Sequence, residues 1–233
     1  MSTTFERLKQ HKADGNQVDF NELLTKFLPK LERYVRHRIR VMELEKKLPR
    51  NYYAPADVIA DVYLKIYEKF DDIHDEKQLR TEMFKLADAI ISEYVNKHKY
   101  PPKSIPVHDL LKEELKMLEE EFTADADGEL VLIEELDDIE YKQDEFKRKI
   151  YLFDRDAERA FAAALGLSEE DFRDEKFRAL FGNMYATLPE TARHILDLLA
   201  QGELPPEEVA TVVGVDKSDV IAVKERIRKI LKR

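Results

Sequence analysis

The chain has 233 residues, 43% hydrophobic and 38% charged, with 6 Gly, 9 Pro, no Cys and no Trp. The absence of cysteine excludes disulfides, thiolate zinc sites and cysteine nucleophiles. So much charge with so little glycine points to long exposed helices, not a β-sandwich. There is no run of about 18 apolar residues to span a bilayer, and the opening MSTTFERLKQHKADG has no apolar signal core, so a cytoplasmic protein is expected.

The net charge of −10 is unevenly placed. Residues 1–100 carry 19 Lys+Arg against 17 Asp+Glu, residues 101–175 carry 10 against 24, and residues 176–233 carry 10 against 8. All the excess acid lies in the middle, so the two ends remain compatible with an anionic partner, held locally and in a salt-sensitive way.

Residues 1–18 read as an N-terminal extension and residues 19–100 as a helical domain. A helix is expected to open at Asp19, where Asp19-Phe-Asn-Glu22 has the form of a capping box. Phe20, Leu23, Leu24, Phe27, Leu28, Leu31, Tyr34, Val35 and Ile39 then follow a helical period. Pro29 should kink or divide that helix. Arg33, Arg36, Arg38 and Arg40 fall on its opposite face. A second helix is predicted from about Pro55 to Phe70 over Val58, Ile59, Val62, Tyr63, Ile66 and Phe70. A third starts near Asp75, with Leu79, Met83, Phe84, Leu86, Ala87, Ile90, Ile91, Tyr94 and Val95 inward, and stops before Pro101-Pro102. Together they predict a small bundle.

Residues 101–175 read as an acidic linker with some helix, beginning at Tyr100-Pro-Pro-Lys-Ser-Ile-Pro106. Leu111, Leu115, Leu118 and Phe122 have helical spacing. The twelve residues Thr123–Glu134 resemble a calcium-binding EF-hand loop, with Asp125, Asp127, Gly128 and Glu134 at its third, fifth, sixth and twelfth positions. Thr123 stands where that loop has its first aspartate, and no second loop accompanies it. A solvated turn is the plain alternative. The dense EELDDIEYKQDE stretch is either a solvated connector or a strip that mimics nucleic acid inside a partner's basic channel.

Residues 176–233 read as a helix-turn-helix domain. Phe172, Phe177, Leu180, Phe181, Met184 and Leu188 suggest an entering helix. Pro189-Glu190 opens the next, with Ile195, Leu198 and Leu199 inward and Gly202 as its stop. Pro206 begins a short helix, Gly214 makes the turn, and a last helix runs from about Ser218. Small Ala210 permits a close crossing, with Val215 and Val220 plugging the core. This is the spacing of a DNA-binding helix-turn-helix, a shape that also occurs as a packing unit. No catalytic constellation is found: the six His are scattered and there is no glycine-rich phosphate loop.

In this order the pieces resemble a bacterial RNA polymerase sigma factor of the small, extracytoplasmic-function type. Phe20-Asn-Glu-Leu-Leu…Pro29…Arg33-Tyr34 is similar to the opening helix of the family's region-two domain, and Asp57-Val-Ile-Ala-Asp61-Val-Tyr-Leu-Lys-Ile-Tyr67 to its clamp-docking helix. The third helix is similar to the segment that melts the −10 promoter element, and Leu188-Pro-Glu…Glu207-Glu-Val-Ala…Gly214-Val…Val220 to the region-four helix-turn-helix that reads the −35 element.

The resemblance implies an all-α protein of two helical domains that needs no cofactor, performs no chemistry itself and directs core RNA polymerase to promoter DNA. It implies polymerase contact through Asp57, Asp61, Val62 and Tyr63. It implies DNA contact through Lys77, Arg80, Lys85, Lys97 and Lys99, and through Lys217, Ser218, Lys224, Arg226 and Arg228. The linker would enter the polymerase channels, although at about 75 residues it is longer than the family's.

The chain departs from the family elsewhere too. Glu82-Met83 replaces a Trp-Leu pair, and Ile221 and Val223 stand where the recognition helix has Lys and Arg. Asp216 and Asp219 flank that helix's N-terminus, where acid repels phosphate but caps the helix. These departures support an alternative, a sigma-like regulator acting through an anti-sigma factor or a recruiting protein.

Overall fold

The computed structural model describes residues 4–98 and 153–232, and the backbone alone at 122–124 and 130–132. The chain divides into two compact units, Met1–Ser104 and Ile105–Arg233. Both are helical, and the described residues include one short strand pair.

Among the described residues the first unit holds five α-helices: α1 (Thr4–Ala13), α2 (Gln17–Leu24), α3 (Leu28–Leu44), α4 (Pro55–Lys69) and α5 (Glu76–Lys97). The expected extension over residues 1–18 is in fact structural. Phe5 and Leu8 of α1 are buried, and the Phe5 ring lies 5.4 Å from Phe70. Phe70 also meets Phe20 edge-on at 4.8 Å. Lys12 donates to the Tyr67 carbonyl at 2.6 Å with its ammonium 3.8 Å from the Tyr67 ring centre. Three aromatic rings thus need α1 as their lid.

Gly15, at φ +65°, turns the chain from α1 into α2. The second helix opens two residues before Asp19. Asn16 is the cap: its side-chain oxygen accepts from the Asp19 N–H at 3.2 Å, and its amide donates to the Asp19 carboxylate at 2.7 Å. Asp19 therefore serves from the first turn. Pro29 does divide the apolar run. A 3₁₀ turn at Thr25–Phe27 separates α2 from α3, and the proline sits in the first turn of α3, where no N–H is required.

Val58, Val62 and Ile66 form a fully buried stripe on α4. At i, i+4 and i+8 they share one face, which packs on α5. Such burial contributes about 1.5–3 kcal/mol per side chain. Asp75 caps α5 by accepting from the Gln78 N–H at 2.7 Å, while the Gln78 side chain accepts from His74 N–H at 2.9 Å. Of the arginines expected on the outer face of α3, Arg38 is buried, 3.9 Å from Asp88 of α5. The same carboxylate accepts from the Tyr34 hydroxyl at 2.6 Å, so a polar pair draws Arg38 inward.

In the second unit β1 (Phe122–Ala124) pairs antiparallel with β2 (Leu130–Leu132), in the register Phe122–Leu132, Thr123–Val131 and Ala124–Leu130. Phe122 is thus in a strand, not on the predicted helix. Among the described residues five α-helices follow: α6 (Arg155–Leu165), α7 (Glu175–Thr187), α8 (Glu190–Ala200), α9 (Pro206–Val213) and α10 (Lys217–Leu231).

The linker boundary at residue 175 is too late. Asp154 caps α6 by accepting from the Ala157 N–H at 2.9 Å, and Ala157, Phe161, Ala162 and Leu165 are buried. Phe161 meets Phe181 at 5.0 Å. The Gln201 amide after α8 donates to the Ala157 carbonyl at 3.3 Å. Residues 155–165 are therefore core of this unit.

Two further details differ from expectation at α8. Pro189 precedes the helix as its cap instead of lying in the first turn. The left-handed residue after it is Glu203, at φ +48°, not Gly202. At Gly214 the expectation holds: φ is +82°, and its N–H donates to the Ala210 carbonyl at 2.9 Å. No helix among the described residues is long and apolar enough to cross a membrane.

Candidate functional site

With Val58, Val62 and Ile66 turned inward, the opposite side of α4 presents Asp57, Asp61 and Leu64, spaced i, i+4 and i+7. All three are exposed, Leu64 at 52%. Leu64 ends that row, one turn beyond Asp61. Asp57 also accepts from the Ala54 N–H at 3.3 Å, closing the helix start.

The other two residues of the expected polymerase contact do not belong to this face. Val62 has no exposed surface; its β-branched side chain is core. Tyr63 lies about 100° round the helix from Leu64. Its hydroxyl is buried without a hydrogen-bond partner, and burial pushes its pKa up to about 12.

An aromatic wall that the sequence reading missed stands beside the acids. Tyr53 stacks on Tyr94 of α5 at 4.1 Å and 12°. The Tyr53 hydroxyl lies 3.1 Å from His98 Nε2. Tyr52, 69% exposed, meets Tyr53 edge-on at 4.8 Å. The Tyr94 hydroxyl donates to Asp61 at 3.4 Å. Its pKa is pushed up to about 12, first by burial and then by the neighbouring Asp61 charge. The available signal was the adjacent Tyr52-Tyr53 pair just before the helix-opening Pro55.

The basic residues expected to hold DNA on α5 do not form one patch. Lys77 and Lys97 are twenty residues apart, about 30 Å along the axis. Acids one turn away pair with three of the set: Glu76 with Arg80 at 3.7 Å, Glu82 with Lys85 at 3.3 Å, and Glu93 with Lys97 at 3.6 Å. Such exposed pairs are weak and screened, but they flatten the local potential. Lys99 lies outside the described residues, as do Asp125, Asp127 and Glu134 of the calcium candidate. Thr123, the first position of that loop, is in a strand, whereas an EF-hand loop is entered from a helix. Among the described residues no group of His, Asp or Glu could hold a metal ion.

In the second unit α9 and α10 are joined by the turn at Gly214 and pack on each other. Val220, Val223, Ile227 and Leu231 are the buried side of α10. Val223 has no exposed surface, so its side chain is core and not part of the outward face. Ile221 is outward and 42% exposed.

Lys217, Ser218, Ala222, Glu225, Lys229 and Lys232 are exposed with Ile221, while Lys224, Arg226 and Arg228 are half-buried. Lys217 is held by Glu207 of α9, and Arg228 pairs with Glu225 at 3.7 Å. The Asp216 N–H donates to Asp219 at 3.3 Å, so both acids serve the helix cap. The first two turns of this face carry Ser218, Ile221 and Ala222 beside the Glu207-held Lys217, and Lys229 and Lys232 follow toward its far end.

No protein-family model, no curated protein and no solved structure matches this chain.

Proposed function

We propose that this chain is a sigma-type initiation factor. Its first unit docks on core RNA polymerase, its second touches promoter DNA, and the acidic stretch between them threads the polymerase channels. The observation that carries the reading is the outward face of α4, where Leu64 stands exposed beside Asp57 and Asp61. A row of carboxylates ending in an exposed leucine suits a basic, partly apolar helix on a partner. The charges would steer the encounter and Leu64 would supply the buried contact. Tyr52, Tyr53 and Tyr94 extend that surface with rings on which arginine stacks. The protein would position the polymerase and leave the chemistry to it.

The test is co-elution of the full chain with core polymerase from the same organism. Asp61→Arg and Leu64→Arg each lower affinity at least about tenfold if the face docks there. Absence of binding by the unaltered chain sinks the proposal.

One observation favours a second reading. Lys217, Arg80, Lys85 and Lys97 are each paired with an acid, which weakens the drive toward phosphate. On that reading the chain is a sigma-like regulator that works through an anti-sigma factor or a recruiting protein. Promoter-specific initiation by the reconstituted holoenzyme separates the two, because only the first reading requires it.

A further inference from the structure

We propose that Ile221, with Ala222 beside it, reads thymine through its 5-methyl group; this rests on the reading above that α10 enters DNA. Among the described residues of the second unit, Ile221 is the one large apolar side chain left exposed. The buried residues Val220, Val223, Ile227 and Leu231 fix the rotation of α10, which sets Ile221 about 100° round the helix from Val220, at one edge of the outward face. Ser218 and Ala222 flank it and are exposed. Their small side chains let a helix about 10–12 Å across sit deep in a major groove about 12 Å wide.

Each base pair presents a different edge there, and the 5-methyl of thymine is the apolar mark among them. Reading guanine calls for Arg or Lys in the first two turns. The basic residue on this face there is Lys217, and Glu207 holds it. The occupant is duplex DNA on grounds of charge: Lys229 and Lys232 are exposed and Lys224 is half-exposed along the rest of the same helix, where Arg228 is paired with Glu225. That is where phosphates would flank a helix whose start lies against base edges.

The test uses the full chain saturated with core polymerase and random-sequence duplexes synthesised with either thymidine or deoxyuridine, which differ only in the methyl group. The selected thymidine duplexes should bind about fourfold more tightly per contacted thymine than their deoxyuridine counterparts. Ile221→Ser should abolish the α10-dependent part of that difference, and Ile221→Val should keep it. DNA binding with no methyl effect, or a methyl effect unchanged by Ile221→Ser, overturns this proposal and leaves the DNA reading standing. No binding to either library overturns both, and makes the Ile221 face a protein contact.

Discussion

The Tyr185 hydroxyl donates to Asp197 Oδ1 at 2.8 Å, joining α7 to α8 in a core where neither side chain is exposed to solvent. The guanidinium of Arg193 lies 5.5 Å from the Tyr185 ring centre and donates to the Leu188 carbonyl at 3.2 Å. Removing the donor leaves a buried carboxylate oxygen short of one bond. Tyr185→Phe should therefore lower stability by about 1–3 kcal/mol, read from urea unfolding followed by circular dichroism. Asp197→Asn keeps an accepting oxygen and should cost less than Asp197→Ala.

Two neighbouring positions on α10 should respond in opposite ways. Val223→Arg puts a charge into a packed site with no exposed surface and should cost several kcal/mol, at least about 3. Ile221→Lys, on the outward face, should change stability by less than about 0.5 kcal/mol. Thermal unfolding of the two variants checks this. A stable Val223→Arg protein would contradict the inward placement of that residue.

The first helix should be needed for the first unit to fold. Leu8 is fully buried, so Leu8→Ala should cost about 2–5 kcal/mol. A chain beginning at Asp19 would leave Phe20 and Phe70 uncovered, and should bind a hydrophobic dye that the full chain does not.

Alkaline titration should single out Tyr63 and Tyr94, both pushed up to about 12. Their folded pKa lies above the ordinary tyrosine value near 10. Their stabilising contribution is complete below about pH 10 and is lost as pH rises toward 12. Absorbance of phenolate at 295 nm should show late-ionising groups that move earlier when the protein is unfolded. Asp61→Asn removes the neighbouring charge and should bring Tyr94 down while leaving Tyr63 in place.

Where apolar spacing was dense, the sequence announced its helices. The faces of α3, α4 and α5, the division at Pro29 and the Gly214 turn were all legible. In α1 only Phe5 and Leu8 are buried, too few to register as a period; the Phe5 ring is seated on Phe70, sixty-five residues away. For α6 the opposite held. Ala157, Phe161, Ala162 and Leu165 have helical spacing, but the surrounding acid drew the reading toward a linker.

The candidate surfaces were half legible. Asp57 and Asp61 were named from the family resemblance of the α4 segment and are exposed, yet Val62, one residue on, turns inward, because a helix rotates about 100° per residue. The same rotation separates Ile221 from Val223. Arg38 was misplaced for a different reason: its partner Asp88 is fifty residues away in α5, and no local pattern reports it. The Tyr53–Tyr94 stack is likewise a long-range pairing.

The division of labour along α10 bears on how such a protein diversifies. Ser218, Ile221, Ala222 and Glu225 project from the scaffold while Val220, Val223, Ile227 and Leu231 secure it. Substitutions at the first group leave the second untouched, so drift at a few outward positions can remake this surface without crossing an unstable intermediate. A designer could transplant a different outward quartet onto the same inward frame.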